Sequence, residues 1–230
     1  MILPSEVRDD KSAYFILRDS EERDAALAFI KDNFKLSHDG SKDVEWIFLD
    51  TFDHRLYKNG YSLSKEGDRY VLCQPGHEPD ITLPCEGTGD RPLFWGDFPE
   101  GPFRDALRPL TDVRAIIPLV RIEGSLIREN VINEDDKTVS HISAQDFQVS
   151  ENGSDGKGVR LIEVAAVRGY ADEFDYITEK LGKAGFERAE GNLFSVALAL
   201  TGGKPGAYSS KPNYNIGPDT PAGEALRIIF

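Results

Sequence analysis

The chain has 230 residues, of which 40% are hydrophobic and 29% are charged, and its formal net charge at pH 7 is −13. This composition is typical of a globular protein and excludes a wholly disordered chain. The acidic excess argues against a nucleic-acid binder, which needs Lys and Arg facing the phosphate backbone. No apolar run approaches the roughly 20 residues that span a bilayer, and no signal segment precedes the first predicted strand. We therefore expect a cytoplasmic protein that binds neither nucleic acid nor membrane.

The first predicted elements are a strand and an amphipathic helix. Residues 12–18 are rich in aromatic and apolar side chains, which predicts a strand. Asp19 is suited to cap a helix over residues 20–34, whose apolar positions keep helical spacing. Residues 37–42 are polar and predict a loop, and a strand of about eight residues begins near Val44.

A hairpin and a long loop follow. Residues 61–63 and 69–73 form the two predicted strands of a hairpin, with its turn at residues 66–68. Residues 75–102 are rich in proline and glycine, which predicts a long loop or a broken sheet edge. A short helix is predicted over 103–108.

The second half of the chain contains most of the remaining predicted strands. Strands are predicted over 113–123, 125–133, 138–149 and 159–167, and helices over 171–185 and 192–200. Sequential strands with short turns indicate antiparallel pairing. About eight such strands predict an α+β fold, an antiparallel eight-stranded β-barrel of the tunnel type with flanking helices.

The C-terminal segment has a different composition. Residues 202–221 are rich in glycine and proline and have no periodicity, which is typical of a linker. Thr220 and Pro221 are suited to begin a helix, and the following residues have the composition of a helix that has only begun. We therefore expect three parts: a domain over 1–200, a linker over 201–218, and the start of a truncated helical domain over 219–230.

Three segments in this order resemble a known family. Residues 48–63 read FLDTFDHRLYKNGYSL, residues 167–170 read VRGY, and residues 218–227 read PDTPAGEALR. The first two are similar to motifs of the CYTH superfamily, the triphosphate tunnel metalloenzymes, and the third is similar to the opening of a CHAD domain. The resemblance implies a CYTH-like barrel in a polyphosphate-associated CYTH–CHAD protein.

The sequence departs from the family at its metal- and phosphate-binding motifs. The family's opening strand carries Glu-x-Glu-x-Lys. Here one face of the first strand carries Ser12, Tyr14 and Ile16 and the other carries Ala13, Phe15 and Leu17, so neither face offers a carboxylate. The family's Leu-Arg-x-Arg is LSKE at residues 63–66, and its Thr-x-Lys falls on LCQP at residues 72–75, without a lysine. The active-site motifs are therefore degenerate.

Few polar side chains remain as candidates for an anion or metal site. The candidate phosphate-binding residues are Lys65, Arg69, Arg121 and Arg128. Glu163 is the candidate metal ligand, because it interrupts an apolar strand and hard cations prefer carboxylate oxygens. The alternative for each cation is a solvated position on the outer face of a strand.

Two further motif residues, Asp50 and Thr51, match the family pattern. We expect their side chains to form local hydrogen bonds that shape the turn after the strand. No catalytic residue is predicted.

Two functional hypotheses of different class follow. The first is a non-catalytic binding or scaffold module whose partners are a C-terminal CHAD domain and polyphosphate or a nucleoside triphosphate. The alternative is a divergent metal-dependent triphosphatase or polyphosphatase, or an adenylate-cyclase-like phosphohydrolase, with Mg²⁺ or Mn²⁺ as cofactor only in that case. A third, weaker hypothesis is a small-ligand barrel with an apolar interior.

Overall fold

The computed structural model describes residues 12–74, 77–85, 91–151, 156–207 and 220–223. Within these residues there are nine strands and five helices, together with a 3₁₀ turn over Trp95–Asp97. The strands are β1 Ser12–Leu17, β2 Leu36–Thr51, β3 Ser62–Glu66, β4 Arg69–Gln74, β5 His77–Pro84, β6 Ile116–Ile132, β7 Thr138–Glu151, β8 Lys157–Ala166 and β9 Glu187–Arg188. The helices are α1 Ser20–Asn33, α2 Arg55–Lys58, α3 Pro102–Thr111, α4 Ala171–Lys183 and α5 Leu193–Leu200.

The strands form one antiparallel sheet, which confirms the predicted fold class. Their hydrogen-bonded order is β5-β4-β3-β2-β6-β7-β8-β1-β9. The described part of the sheet has nine strands where the sequence predicted eight. The difference arises because β5 and β9 were not predicted, while the two runs predicted over 113–123 and 125–133 form the single strand β6.

A segment predicted as a loop is part of a strand, and a segment predicted as a long loop or a broken sheet edge contains an edge strand. Residues 37–42 belong to β2, because the strand extends along β6, where the N–H of Ile132 donates to the carbonyl of Lys35 at 2.8 Å. The polar side chains of this segment are mostly exposed, so pairing of the backbone rather than burial holds it in the sheet. Part of the 75–102 segment is β5, which lies at one end of the described sheet and pairs with β4, with Arg69 opposite Pro84.

Gly124 allows β6 to continue past the predicted break. A β-carbon at this position would lie 2.9 Å from the Cα of Phe147 and closer still to the carbonyl oxygen of Asp146. Gly124 also has a φ of +152°. The strand therefore needs glycine here for backbone conformation and for the approach of β7.

The chain forms two compact units. The first lies within residues 1–44, 122–149 and 156–197, and the second within 45–121, 150–155 and 198–230. In the first unit, α1 and α4 cover one face of β1 and β8. Its buried core includes Ala13, Phe15, Leu17, Ile30, Ile162, Val164, Phe174, Ile177 and Leu181. Asp19 caps α1 as predicted, since its Oδ1 accepts a 2.8 Å hydrogen bond from the N–H of Glu22.

The second unit has its own apolar core. The buried side chains include Ile47, Leu49, Leu56, Leu63, Tyr70, Leu72, Phe98, Phe103, Leu107 and Ile116. Phe98 packs against Tyr70 and Phe103, with ring centroids 5.5 and 5.1 Å apart. Phe98 thereby ties the proline- and glycine-rich segment to the core of this unit.

The described part of the predicted linker is anchored to the second unit. Residues 201–207 contain two turns, closed by hydrogen bonds from Gly202 to Ala199 and from Ala207 to Lys204. The N–H of Gly206 donates to Nδ1 of His54 at 2.9 Å. Residues 208–219 and 224–230, which contain most of the linker and of the predicted third part, lie outside the described residues. Among the described helices, none has the length and apolar character needed to cross a membrane.

Candidate functional site

Strand alternation places a polar cluster on β1, β7 and β8, on the sheet face away from α1 and α4. Ala13 and Phe15 pack against the helices, so Ser12 and Tyr14 project from the opposite face of β1. Tyr14 lies opposite Glu163 of β8, and Ser143 of β7 lies opposite Glu163 on its other side.

Three side chains donate hydrogen bonds to the Glu163 carboxylate. Its Oε1 accepts from the Tyr14 hydroxyl at 3.0 Å and from the Ser12 hydroxyl at 3.2 Å. Its Oε2 accepts from Nε2 of Gln145 at 2.8 Å. We call Ser12, Tyr14, Gln145 and Glu163 the Glu163 cluster. Tyr14 and Gln145 are buried, at 4% and 2% exposure, whereas Glu163 is half-buried and keeps contact with solvent.

His141 and Arg128 contribute to the electrostatics of the same unit. His141 contacts Oδ1 of Asn130 through Nδ1 at 2.7 Å, which fixes the proton on Nδ1 because an amide oxygen only accepts. The pKa of His141 is lowered by burial and then by the charge of Arg128, against the opposite influence of Asp39 and Glu163. His141 is therefore neutral at pH 7.

The cluster does not provide the ligand set that a catalytic divalent metal requires. Mg²⁺ and Mn²⁺ are held by several oxygen ligands, commonly more than one carboxylate. Within the described part of the chain, no group of three or more His, Cys, Asp or Glu side chains is arranged to hold a metal ion. Glu163 as a metal ligand stays a prediction, and we derive no catalytic step through a metal.

Lys65 and Arg69 flank the β3–β4 hairpin on opposite faces of the sheet. Lys65 lies opposite Tyr70 and Ile47, which belong to the apolar core, whereas Arg69 lies opposite Glu66. Nζ of Lys65 donates to the carbonyl of Gly67 at 2.7 Å. The two cations therefore do not converge on one phosphate from the same face.

Arg69 and Arg121 both have acidic neighbours in the second unit. Arg69 lies 3.9 Å from the carboxylate of Glu66, which also accepts a 2.9 Å hydrogen bond from the Ser64 hydroxyl. Arg121 forms an ion pair with Glu45. An anion at either arginine would compete with a carboxylate that is already in place.

Asp50 and Thr51 have the local role that the sequence predicted. Asp50 is 2% exposed, and its carboxylate accepts backbone N–H groups of Thr51, Leu56 and Tyr57 at 2.6, 2.9 and 2.9 Å. The Thr51 hydroxyl donates to Asp53 at 2.7 Å and accepts the N–H of Arg55 at 2.9 Å. These hydrogen bonds hold the turn between β2 and α2.

Sequence reasoning missed Gln145 as a member of the site. The signal was a polar side chain within the buried segment SAQDFQV at residues 143–149, where Phe147 and Val149 are also buried. Alternation alone puts Gln145 on the same face as Ser143 and Phe147. It does not show that Gln145 meets Glu163, because that contact depends on the register of β7 against β8.

Comparison with known proteins gives structural similarity at low sequence identity. No protein-family model matches the chain, and no curated protein matches it. A solved protein of Bacillus halodurans named "putative adenylate cyclase" is 15% identical, with a TM-score of 0.47, over 81% of this chain and 94% of that one. HpAC1 of Hippeastrum, named "putative adenylyl cyclase" with a dominant triphosphatase activity, is 12% identical, with a TM-score of 0.46, over 84% and 95%. PH1819 of Pyrococcus horikoshii is 12% identical, with a TM-score of 0.41, over 82% and 97%. At these scores and identities the matches carry no conclusion about activity.

Proposed function

We propose that this chain is a CYTH-like domain that acts as a non-catalytic binding or scaffold module in a polyphosphate-associated CYTH–CHAD protein. The observation that carries the proposal is the set of donors on Glu163. Ser12 and Tyr14 occupy the strand positions at which the resembling family has carboxylates, and both donate to Glu163. Glu163 therefore lies among hydrogen-bond donors rather than among the further carboxylates that commonly hold a catalytic divalent metal, which supports a structural or ligand-binding role.

The charge arrangement supports the same proposal. Phosphoryl transfer requires neutralisation of the charge that develops on the phosphate oxygens. Arg69 and Arg121 instead face Glu66 and Glu45, and the formal charge of the whole chain is −13. Long-range attraction of a polyanion to the domain is therefore unfavourable, and we propose that the CHAD domain is the polyphosphate-binding partner.

The test is a phosphate-release assay on the 230-residue chain. Tripolyphosphate and ATP are supplied with Mg²⁺ or Mn²⁺, and Glu163→Gln is compared with wild type. Glu129→Gln is the matched control, since Glu129 is a half-buried strand glutamate that contacts His38 rather than the Glu163 cluster. We expect all three proteins to release phosphate at the rate of buffer alone.

The divergent-enzyme alternative gives a different result in the same assay. Turnover of about 1 s⁻¹ or more, lost in Glu163→Gln and kept in Glu129→Gln, would overturn the non-catalytic proposal. Saturable tripolyphosphate binding without turnover, weakened in Arg121→Ala or Arg128→Ala, would support a binding module with an anion site of its own.

A further inference from the structure

The Glu163 cluster has unused hydrogen-bond acceptors. A carboxylate offers about four lone-pair positions. Oε1 of Glu163 accepts two donors and Oε2 accepts one, so one position on Oε2 is unused. Oε1 of Gln145 is buried and accepts no hydrogen bond from the residues that the structure describes, which leaves both of its lone pairs unused.

The orientation of the Gln145 amide is fixed by its neighbour. Nε2 must face Glu163, because the reverse orientation would place an amide oxygen against a carboxylate oxygen. Oε1 of Gln145 is therefore an acceptor in a side chain that is 2% exposed. Buried polar atoms without a partner are rare in native proteins, so this atom indicates a missing donor.

The charges around the cluster favour a cationic ligand. Glu163 is the acidic member of the cluster, and its hydrogen-bond partners Ser12, Tyr14 and Gln145 are neutral side chains. With Glu163 ionised, the formal charge of the cluster is −1. A ligand with one positive charge and several N–H groups would match both the charge and the unused acceptors.

We propose that the Glu163 cluster binds the primary ammonium group of a small organic amine, with Oε2 of Glu163 and Oε1 of Gln145 as acceptors. An ammonium group carries three donors and no acceptor, so one N–H can donate to Oε2 of Glu163 and another to Oε1 of Gln145, leaving one N–H for water. Phosphate is excluded here, because its oxygens would face a carboxylate and an amide oxygen. The half-buried side of Glu163 gives the amine access from solvent. The inference rests on the proposed function in one respect, that this site binds rather than catalyses.

The probe is methylammonium, observed by saturation-transfer NMR on its methyl protons. Tetramethylammonium has the same charge without N–H donors, and K⁺ competes as a cation that oxygen atoms coordinate. We expect a saturable methylammonium signal with a Kd in the millimolar range, titrated to about 100 mM at constant ionic strength. An excess of K⁺ or tetramethylammonium leaves the signal unchanged.

Two variants locate the site. Glu163→Gln removes the charge and lets the facing amides pair, and Gln145→Leu removes the buried acceptor while keeping Glu163. Each should weaken methylammonium binding at least about tenfold, whereas Glu129→Gln should leave it unchanged. Circular-dichroism melting shows that each variant is folded.

Three results would overturn the amine site. The first is displacement of methylammonium by K⁺ or tetramethylammonium, and the second is methylammonium binding that survives both variants. The third is the absence of a saturable methylammonium signal, in which case water satisfies Gln145. None of these results depends on phosphate release. The non-catalytic proposal fails if turnover that depends on Glu163 is observed. Failure of the amine site is thus distinguishable from failure of the non-catalytic proposal.

Discussion

The hydroxyl of Tyr14 donates a 3.0 Å hydrogen bond to Glu163 across the pairing of β1 with β8. Tyr14 is 4% exposed, and its register partner on β8 is Glu163 itself. The first strand therefore contributes hydrogen-bond donors, and no carboxylate, to this face. This arrangement is the observation on which the functional proposal rests.

Removal of the Tyr14 hydroxyl should destabilise the protein. In Tyr14→Phe, the carboxylate of Glu163 loses a partly buried donor, and a hydrogen bond to a charged group contributes about 1.5–3 kcal/mol. We expect a decrease of that size in the free energy of unfolding, measured by urea denaturation at pH 7. Tyr176→Phe is the control, because Tyr176 is exposed and its hydroxyl accepts a solvent-exposed hydrogen bond from the side chain of Lys180. Equal effects of the two substitutions would contradict the assigned role of Tyr14.

Gly124→Ala should be among the most damaging single substitutions in β6. The new methyl group would meet the backbone of Asp146 and Phe147, so the two strands would have to separate. We expect a loss of about 2–4 kcal/mol in the free energy of unfolding. Gly40→Ala is a matched control, since Gly40 has the same φ of +152° with no heavy atom within 4 Å of the added β-carbon. A similar loss in both variants would assign the effect to backbone conformation alone.

Asp50 should give the protein a component of stability that falls as pH rises. Burial raises the pKa of Asp50 from 3.8 to about 6, against the opposing effect of three backbone N–H donors. The folded state thus binds this proton more tightly than the unfolded state does. The contribution is present below pH 3.8 and is lost as pH rises to about 6, a change on the order of 3 kcal/mol.

The comparison of wild type with Asp50→Asn isolates this contribution. As the pH rises from 4 to 6, about the interval over which the carboxyl ionises, the unfolding free energy of wild type should fall relative to that of Asp50→Asn. Urea denaturation at half-unit pH steps measures it. A difference that does not vary with pH would show that Asp50 has an ordinary pKa.

His54 should hold the segment over residues 201–207 in place through a neutral imidazole. It is 8% exposed with a φ of +56°, and its Nδ1 accepts the N–H of Gly206 at 2.9 Å. Its pKa is lowered from 6.5 by burial, then by Lys58, against the opposite influence of Asp53. The folded state therefore prefers the neutral form, and this stability is lost as pH falls below 6.5.

Hydrogen exchange at the Gly206 amide measures the His54 contact. We expect His54→Ala to remove protection at Gly206 and His54→Asn to retain most of it, because asparagine tolerates this backbone conformation and offers an acceptor. His38→Ala is the control, since His38 is exposed and contacts Glu129. Unchanged protection in His54→Ala would mean that another contact holds Gly206.

The sequence predicted the apolar elements well and the polar contacts incompletely. The helices at 20–34 and 171–185 were predicted correctly because apolar periodicity is a local signal, reinforced in the first helix by the Asp19 cap. The 37–42 segment was mistaken for a loop because its place in β2 depends on pairing with β6. Gly124 suggested a break, although in the fold it permits a close approach of β7.

The same distinction between local and long-range signals applies to the site. The turn role of Asp50 was predictable because its partners lie within seven residues of it. Glu163 was identified as an unusual carboxylate in an apolar strand, but its partners are 18 to 151 residues away along the chain. Lys65 and Arg69 lie on opposite faces of the sheet because of the register of the β3–β4 hairpin, which composition does not reveal.

The central proposal is that Glu163 serves as an acceptor for protein side chains rather than as the metal ligand that the sequence analysis predicted. Paramagnetic broadening by Mn²⁺ tests it directly, with the side-chain amide signal of Gln145 as the reporter 2.8 Å from the carboxylate. Gln145→Leu assigns the signal, and Glu163→Gln shows how much broadening comes from Mn²⁺ bound elsewhere on the acidic chain. We predict that substoichiometric Mn²⁺ broadens the Gln145 amide equally in wild type and in Glu163→Gln. Selective broadening in wild type, absent in Glu163→Gln, would contradict the account and place a metal at Glu163.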